Sequence, residues 1–145
     1  MLTARLGSCL LALAMLLSGC AVNRATATVD PSANLAALKS FHVVKEKEDE
    51  RGINQLIAER LTKMGYTAST SDGKASGVDA IVTYVDKWFW DITMYMIELT
   101  IVVRDPATDF PLATGNSFHT SLTRLSPPAM VDEVTGNIFK GVNKQ

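Results

Sequence analysis

Ile92-Thr93-Met94-Tyr95-Met96-Ile97-Glu98-Leu99-Thr100-Ile101-Val102-Val103-Arg104 is the stretch on which the fold turns. Tyr95, Ile97, Leu99, Ile101 and Val103 stand at alternate positions, which predicts a long strand with one apolar face. The even positions begin apolar at Met94 and Met96 and turn polar at Glu98, Thr100 and Arg104. Such a pattern suits an antiparallel sheet with one face on a core and the other toward water. Upstream, residues 78–85 read as a strand, and residues 86–91, which hold Trp88-Phe89-Trp90, as the bend between the two. Downstream, Asp105-Pro106-Ala107-Thr108-Asp109 reads as a hairpin loop and residues 110–120 as the returning strand.

Two helices complete the pattern. Residues 38–45 read as a first strand, followed by a charge run of mixed sign, Lys45 through Arg51. That run leads into Ile53, Leu56, Ile57, Leu61 and Met64 at helical spacing. Asp49 and Glu50 suit the positive end of this helix, Lys63 its negative end, and Gly65 the left-handed position after it. Residues 66–70 read as a short strand and 71–77 (SDGKASG) as a turn. Ser126-Pro127-Pro128 opens a second helix, in which Met130, Val131, Val134 and Ile138 form one face, stopping near Gly141. The order β-α-β-β-β-β-α predicts an α+β two-layer sandwich. Its sheet is mixed, mostly antiparallel and about five-stranded, with two helices on one face.

The chain opens differently. Arg5 is the sole charge before the apolar stretch 6–17, and Leu17-Ser18-Gly19-Cys20 follows. The stretch is shorter than the roughly 20 apolar residues of a spanning helix. This opening resembles a bacterial lipoprotein signal peptide with its lipobox. The resemblance implies cleavage before Cys20 and a lipid on its sulfur, so that residues 1–19 are signal and 20–34 a lipidated cysteine with a short linker. Within that linker, residues 26–29 have the composition of a strand. Residues 35–145 then form a single periplasmic domain. The position after the cysteine is Ala21, not the Asp that resembles inner-membrane retention. The implied location is the inner leaflet of the outer membrane, facing the periplasm of a Gram-negative bacterium.

Composition narrows the function. Fourteen Lys and Arg face fifteen Asp and Glu in the whole chain. Removal of Arg5 with the signal leaves 13 − 15, or −2. A near-neutral balance offers no basic footprint for nucleic acid. Of the two cysteines, Cys9 leaves with the signal and Cys20 carries lipid, so no thiol remains for a disulfide, redox pair or nucleophile. The expected partners are the membrane, through the lipid on Cys20, and an envelope protein.

A second resemblance covers about 110 residues of the chain. It is carried by Asp30-Pro31-Ser32, Phe41, Lys63-Met64-Gly65-Tyr66 and Val78-Asp79-Ala80. These look like several families of small Gram-negative envelope lipoproteins. Their architecture is similar to the α/β domain of lipoproteins that activate peptidoglycan synthases or build the curli secretion pore. The resemblance implies a fold, and it assigns no chemistry to any residue.

Few residues invite chemistry. His42 and His119 are the only histidines, and no HExxH, Cys/His cluster or DxDxDG loop is present, so no metal site or cofactor is expected. No GxSxG elbow accompanies them, and SDGKASG lacks phosphate-loop spacing. Ser117, His119 and Ser121 can share one strand face as a polar stripe, with Arg124 beyond it. Trp88, Phe89 and Trp90 cannot all point one way in an extended segment. They either pack the core edge or form an exposed anchor for a partner or the membrane interface, extended by Met94 and Met96. The expected function is a non-enzymatic interaction or assembly module of the envelope, its contact surface built from these residues. The alternative is a small-ligand or glycan-binding protein that stacks its ligand on Trp88 or Trp90.

Overall fold

The computed structural model describes residues 23–142. Cys20 and the signal segment lie outside them. The elements run β1 (Asn23–Val29), β2 (Ser40–Val44), α1 (Ile53–Lys63), β3 (Thr67–Ser71), β4 (Ala80–Trp90), β5 (Met94–Arg104), β6 (Pro111–His119) and α2 (Pro127–Ile138). Short 3-10 turns at Leu35–Ala37 and Ser121–Thr123 bridge the connections. The strands form one six-stranded sheet in the order β1-β6-β5-β4-β2-β3. β2 runs parallel to β3 and β4, while all other pairs are antiparallel. The fold is therefore the expected α+β sandwich, with one strand more. The extra strand is β1, which takes up about half of the segment read as linker, including the strand-like residues 26–29, and takes its place as an edge partner of β6.

Both helices cover one face, α1 over β2 and β3, α2 over β1, β6 and β5, and they touch each other. Between the layers sit Phe41, Val43, Val82, Leu99, Ile101 and Val103 from the sheet, against Ile53, Ile57, Leu61, Met130, Val134 and Ile138 from the helices. Phe41, Tyr66 and Phe139 close one end as a ring cluster with centroids 4.9–5.7 Å apart. The far face has a polar patch at its centre: Asn116 donates to Glu98 (2.9 Å) and Thr100 (2.8 Å), and Lys87 pairs with Glu98 at 2.7 Å.

The helix termini follow their sequence signals. Gly65 has φ 95° just beyond α1, and Ser126 caps α2 by accepting from the Ala129 N–H at 3.4 Å. α1 starts two residues later than its acidic run, with Gly52 at φ 72° as its first flanking residue. Asp49 reaches over from outside the helix. Its carboxylate accepts from the N–H groups of Arg51 (2.8 Å), Gly52 (2.8 Å) and Asn54 (3.1 Å), and from the Tyr84 hydroxyl (2.7 Å). The same side chain thus caps α1 and ties it to β4.

Candidate functional site

The aromatic run Trp88-Phe89-Trp90 lies within β4, not in the bend, and the turn proper is Asp91–Thr93. Lys87 is opposite Glu98 and Trp88 is opposite Met96, so Ile97 is an extra residue in β5. A bulge of this kind reverses the facing of everything beyond it. Leu99, Ile101 and Val103 keep the core face that alternation assigns them, but Met96 turns inward and is fully buried. Tyr95 goes to the opposite face, beside Phe89 with ring centroids 6.0 Å apart. Met96 is therefore core, not contact surface. Half-buried Trp88 packs on the core beside it.

The end of the hairpin is apolar on both sides. Trp90 and Met94 are opposite each other on one face, Phe89 is exposed on the other, and Ile92 stands at the apex. Ile92 is 88% exposed and Trp90 65%, and Leu122 in the neighbouring 3-10 turn is 77% exposed. β5 is paired with β6 only from Glu98 onward, so this hairpin projects past its neighbour.

Arg124 secures it. Its guanidinium donates to Thr93 Oγ1 (2.8 Å), the Ser121 carbonyl (3.0 Å) and Ser121 Oγ (2.9 Å). It also pairs with Asp91 at 3.4 Å and lies 4.6 Å from the Tyr95 ring centroid. Ser121 and Arg124 thus belong to a latch across the hairpin's flank. Hydrogen bonds from Ser121 and from the Ile92 and Thr93 N–H groups, with Arg124 beside it, hold the Asp91 carboxyl below its ordinary range. Arg124→Ala is expected to cost about 1 kcal/mol, the scale of one partly exposed cation–ring and ion-pair contact. Its signature is faster amide exchange confined to residues 91–96, and unchanged exchange there would disprove the latch.

The polar stripe faces inward. Ser117 and His119 share a face, as alternation requires, but it is the face under α2, and both are buried. The reason is Glu133 on α2. Its Oε2 accepts from Ser117 Oγ (2.5 Å) and bonds His119 Nε2 (2.8 Å), while His119 Nδ1 has no partner among the described residues. Burial raises the Glu133 pKa, yet the two hydrogen bonds outweigh it and hold the carboxyl below its ordinary value. Ser117 turns its proton to the carboxylate and not to the imidazole, which is the wrong pairing for a serine nucleophile. His42 is likewise engaged at both nitrogens. Nε2 donates to the Gly73 carbonyl (2.8 Å), leaving Nδ1 to accept from Ser69 Oγ (2.8 Å).

One open groove of about 360 Å³ is lined by Glu46, Glu48, Arg51, Val85, Asp86 and Trp88. The Trp88 indole N–H donates to Asp86 at 2.5 Å, and the Arg51 guanidinium covers the ring, 4.2 Å from its centroid. No group of three or more His, Cys, Asp or Glu among the described residues could hold a metal ion. Nor is any helix among them long and apolar enough to cross a membrane.

No protein-family profile matches the sequence, and no curated protein matches it. Solved structures do. The fold is similar to the PelC dodecamer from Paraburkholderia phytofirmans, with TM-score 0.58 and 11% identity over 86% of this chain and 99% of that one. A single-substitution variant of that dodecamer, in another crystal form, matches equally, at 0.58 and 10% identity over 86% of this chain and 100% of that one. A PDZ domain protein from Parabacteroides distasonis matches with TM-score 0.53 and 12% identity, over 92% of this chain but only 39% of that one. At such identities the likeness is one of fold.

Proposed function

We propose that this chain is a lipid-anchored protein of the outer membrane's periplasmic side, acting through protein contacts along an open sheet edge and not through catalysis. The observation that carries this reading is β1. It is the outermost strand of the sheet, and all seven of its residues are exposed. Natural edge strands are normally blunted by proline, bulges, inward charges or lysines. β1 has the sequence Asn-Arg-Ala-Thr-Ala-Thr-Val, pairs with β6 without a register shift, and carries a single charge, Arg24. Among the described residues no strand lies beyond β1, so an added strand meets its outer backbone groups and, apart from Asn23 and Arg24, small side chains, the setting of strand-addition recognition.

The lipobox supports the anchor, and the anchor favours the edge. Confinement to one leaflet raises the effective concentration of neighbours carried in the same plane. PelC, with a similar fold, is a dodecamer, so this architecture tolerates repeated contacts between copies. Of the two rings on which the glycan alternative rests, Trp90 stands on the projecting hairpin end, 65% exposed, while Trp88 lines the groove and already has Arg51 over its stacking face. A saccharide at Trp88 would have to displace it, whereas the strand edge needs no rearrangement.

The test is a photoreactive residue at Thr26 in intact cells, followed by mass spectrometry. A discrete adduct with a second copy or another envelope protein is expected, and Thr28→Lys should weaken it by placing a charge on the edge. A folded, membrane-associated probe protein that yields no adduct would overturn the edge-contact reading.

A further inference from the structure

The apolar hairpin end has a position in the sheet that gives it a second meaning. Asn23 at the start of β1 is opposite His119 at the end of β6. Phe118 is opposite Glu98, near the start of β5, and Met94 at that start is opposite Trp90 at the end of β4. The first described residue and the hairpin end therefore lie at the same end of the sheet. Three residue steps separate Asn23 from Cys20, a reach of at most about 11 Å.

From this we infer that the β4–β5 hairpin end, with Phe89, Trp90, Ile92, Met94 and Leu122, sits in the surface of the lipid leaflet that holds the Cys20 lipid. This rests on the lipid-anchor reading above and adds to it the orientation of the domain. The occupant is a lipid surface because the tip is apolar on both faces and at its apex. A flat protein interface takes one face, whereas an interfacial lipid layer surrounds an inserted tip on every side. Tryptophan is favoured at that depth. The charge at the apex is accounted for: Asp91 is paired with Arg124 and with the Ile92 and Thr93 N–H groups. The bonds of the Arg124 latch keep the tip in shape without help from the membrane. In this pose the strands stand up from the leaflet and the free edge of β1 faces sideways, toward other proteins in the same plane. Retention comes from the acyl chains, so the tip sets orientation and leaves anchoring unchanged.

The experiment uses the full chain, processed in cells and reconstituted into phosphatidylethanolamine–phosphatidylglycerol vesicles with brominated acyl chains. Trp88→Phe leaves Trp90 as the only tryptophan, because the chain has two. Its emission is expected to fall about twofold relative to vesicles without bromine, as for an interfacial tryptophan. Trp90→Phe, which reports Trp88 under Arg51, should fall much less. In the otherwise native protein, an environment-sensitive dye on Ile92→Cys should shift to the blue on reconstitution, at a site too exposed to disturb folding. Unquenched Trp90 with an unshifted dye, in protein of acylated mass, overturns the tip inference and leaves the anchor standing. The same result together with a protein photo-adduct at Ile92 would assign the tip to a protein partner instead. A purified mass without acyl groups on Cys20 overturns the anchor, and the inference with it.

Discussion

Replacing Gly115 by valine is expected to unseat α2 and to lower the melting temperature by on the order of 10 °C. Gly115 lies in β6 directly beneath the helix. A Cβ built there would stand 2.7 Å from Val134 Cγ1 and 2.8 and 2.9 Å from Ile138 Cγ1 and Cδ1. Both helix side chains are buried, so neither can swing into solvent. Relief requires α2 to rise off the sheet, which opens the core along its length. Overpacking of this kind costs about 3 kcal/mol at the upper end of its usual range. Gly115→Ala should show the same effect in smaller measure, since it supplies the clash without the branch. Calorimetry of the three proteins is the check. A valine variant that melts within about 2 °C of the parent would mean that α2 is not seated as described.

Asp49→Ala should be comparably damaging, by a different route. Its carboxylate accepts four hydrogen bonds, and its removal strands the Asn54 N–H in the first turn of α1, the Arg51 and Gly52 N–H groups just before it and the buried Tyr84 hydroxyl. Loss of a helix cap costs about 1 kcal/mol, and orphaning a buried donor adds about 1–3 more, so roughly 3 kcal/mol is expected. A pH dependence accompanies it. Burial raises the Asp49 pKa, but the Tyr84 hydroxyl and the three N–H groups outweigh it, leaving the carboxyl below its ordinary value. A folded-state value below the unfolded one contributes stability that is present above the unfolded pKa, about 4, and lost as pH falls through the folded one. The parent should therefore lose stability in acid more steeply than Asp49→Asn, which carries no charge to lose. Tyr84 does not compete, since burial and the neighbouring Asp49 push its hydroxyl far up and keep it a donor. Equal acid sensitivity of parent and Asp49→Asn in urea titrations from about pH 7 to about pH 3 would rule this account out.

The readable parts of the fold were those whose signal is local. Leu99, Ile101 and Val103 alternate because they pack on a helix layer, and the α1 face repeats because Ile53, Ile57 and Leu61 meet the same core. What the sequence concealed depends on partners far along the chain. Ile97 is as strand-like as its neighbours, so nothing local marks it as the bulge that sends Met96 inward and Tyr95 outward. Ser117 and His119 share a face as expected, but the acid that makes that face an interior one is Glu133, on another element. Arg124 can, from the sequence, either fix a loop or bind a partner carboxylate, and only the fold shows that the loop is Asp91–Thr93. β1 shows only a weak alternation, the small Ala25, Ala27 and Val29 against Arg24, Thr26 and Thr28, of which residues 26–29 alone read as strand. It is a strand because β6 offers it a partner.

That pairing also sets an order of events during synthesis. Asn23 meets His119, a separation of 119 − 23 = 96 residues, so the first strand has no partner until the last strand has emerged. Contacts of such separation are closed late, after local hairpins such as β4–β5 have formed. A chain exported from its N-terminus therefore keeps residues 23–29 unzipped through most of its passage. Under the lipid-anchor proposal, an enzyme that works on an extended peptide at Cys20 would have that interval in which to act, before β1 pairs with β6.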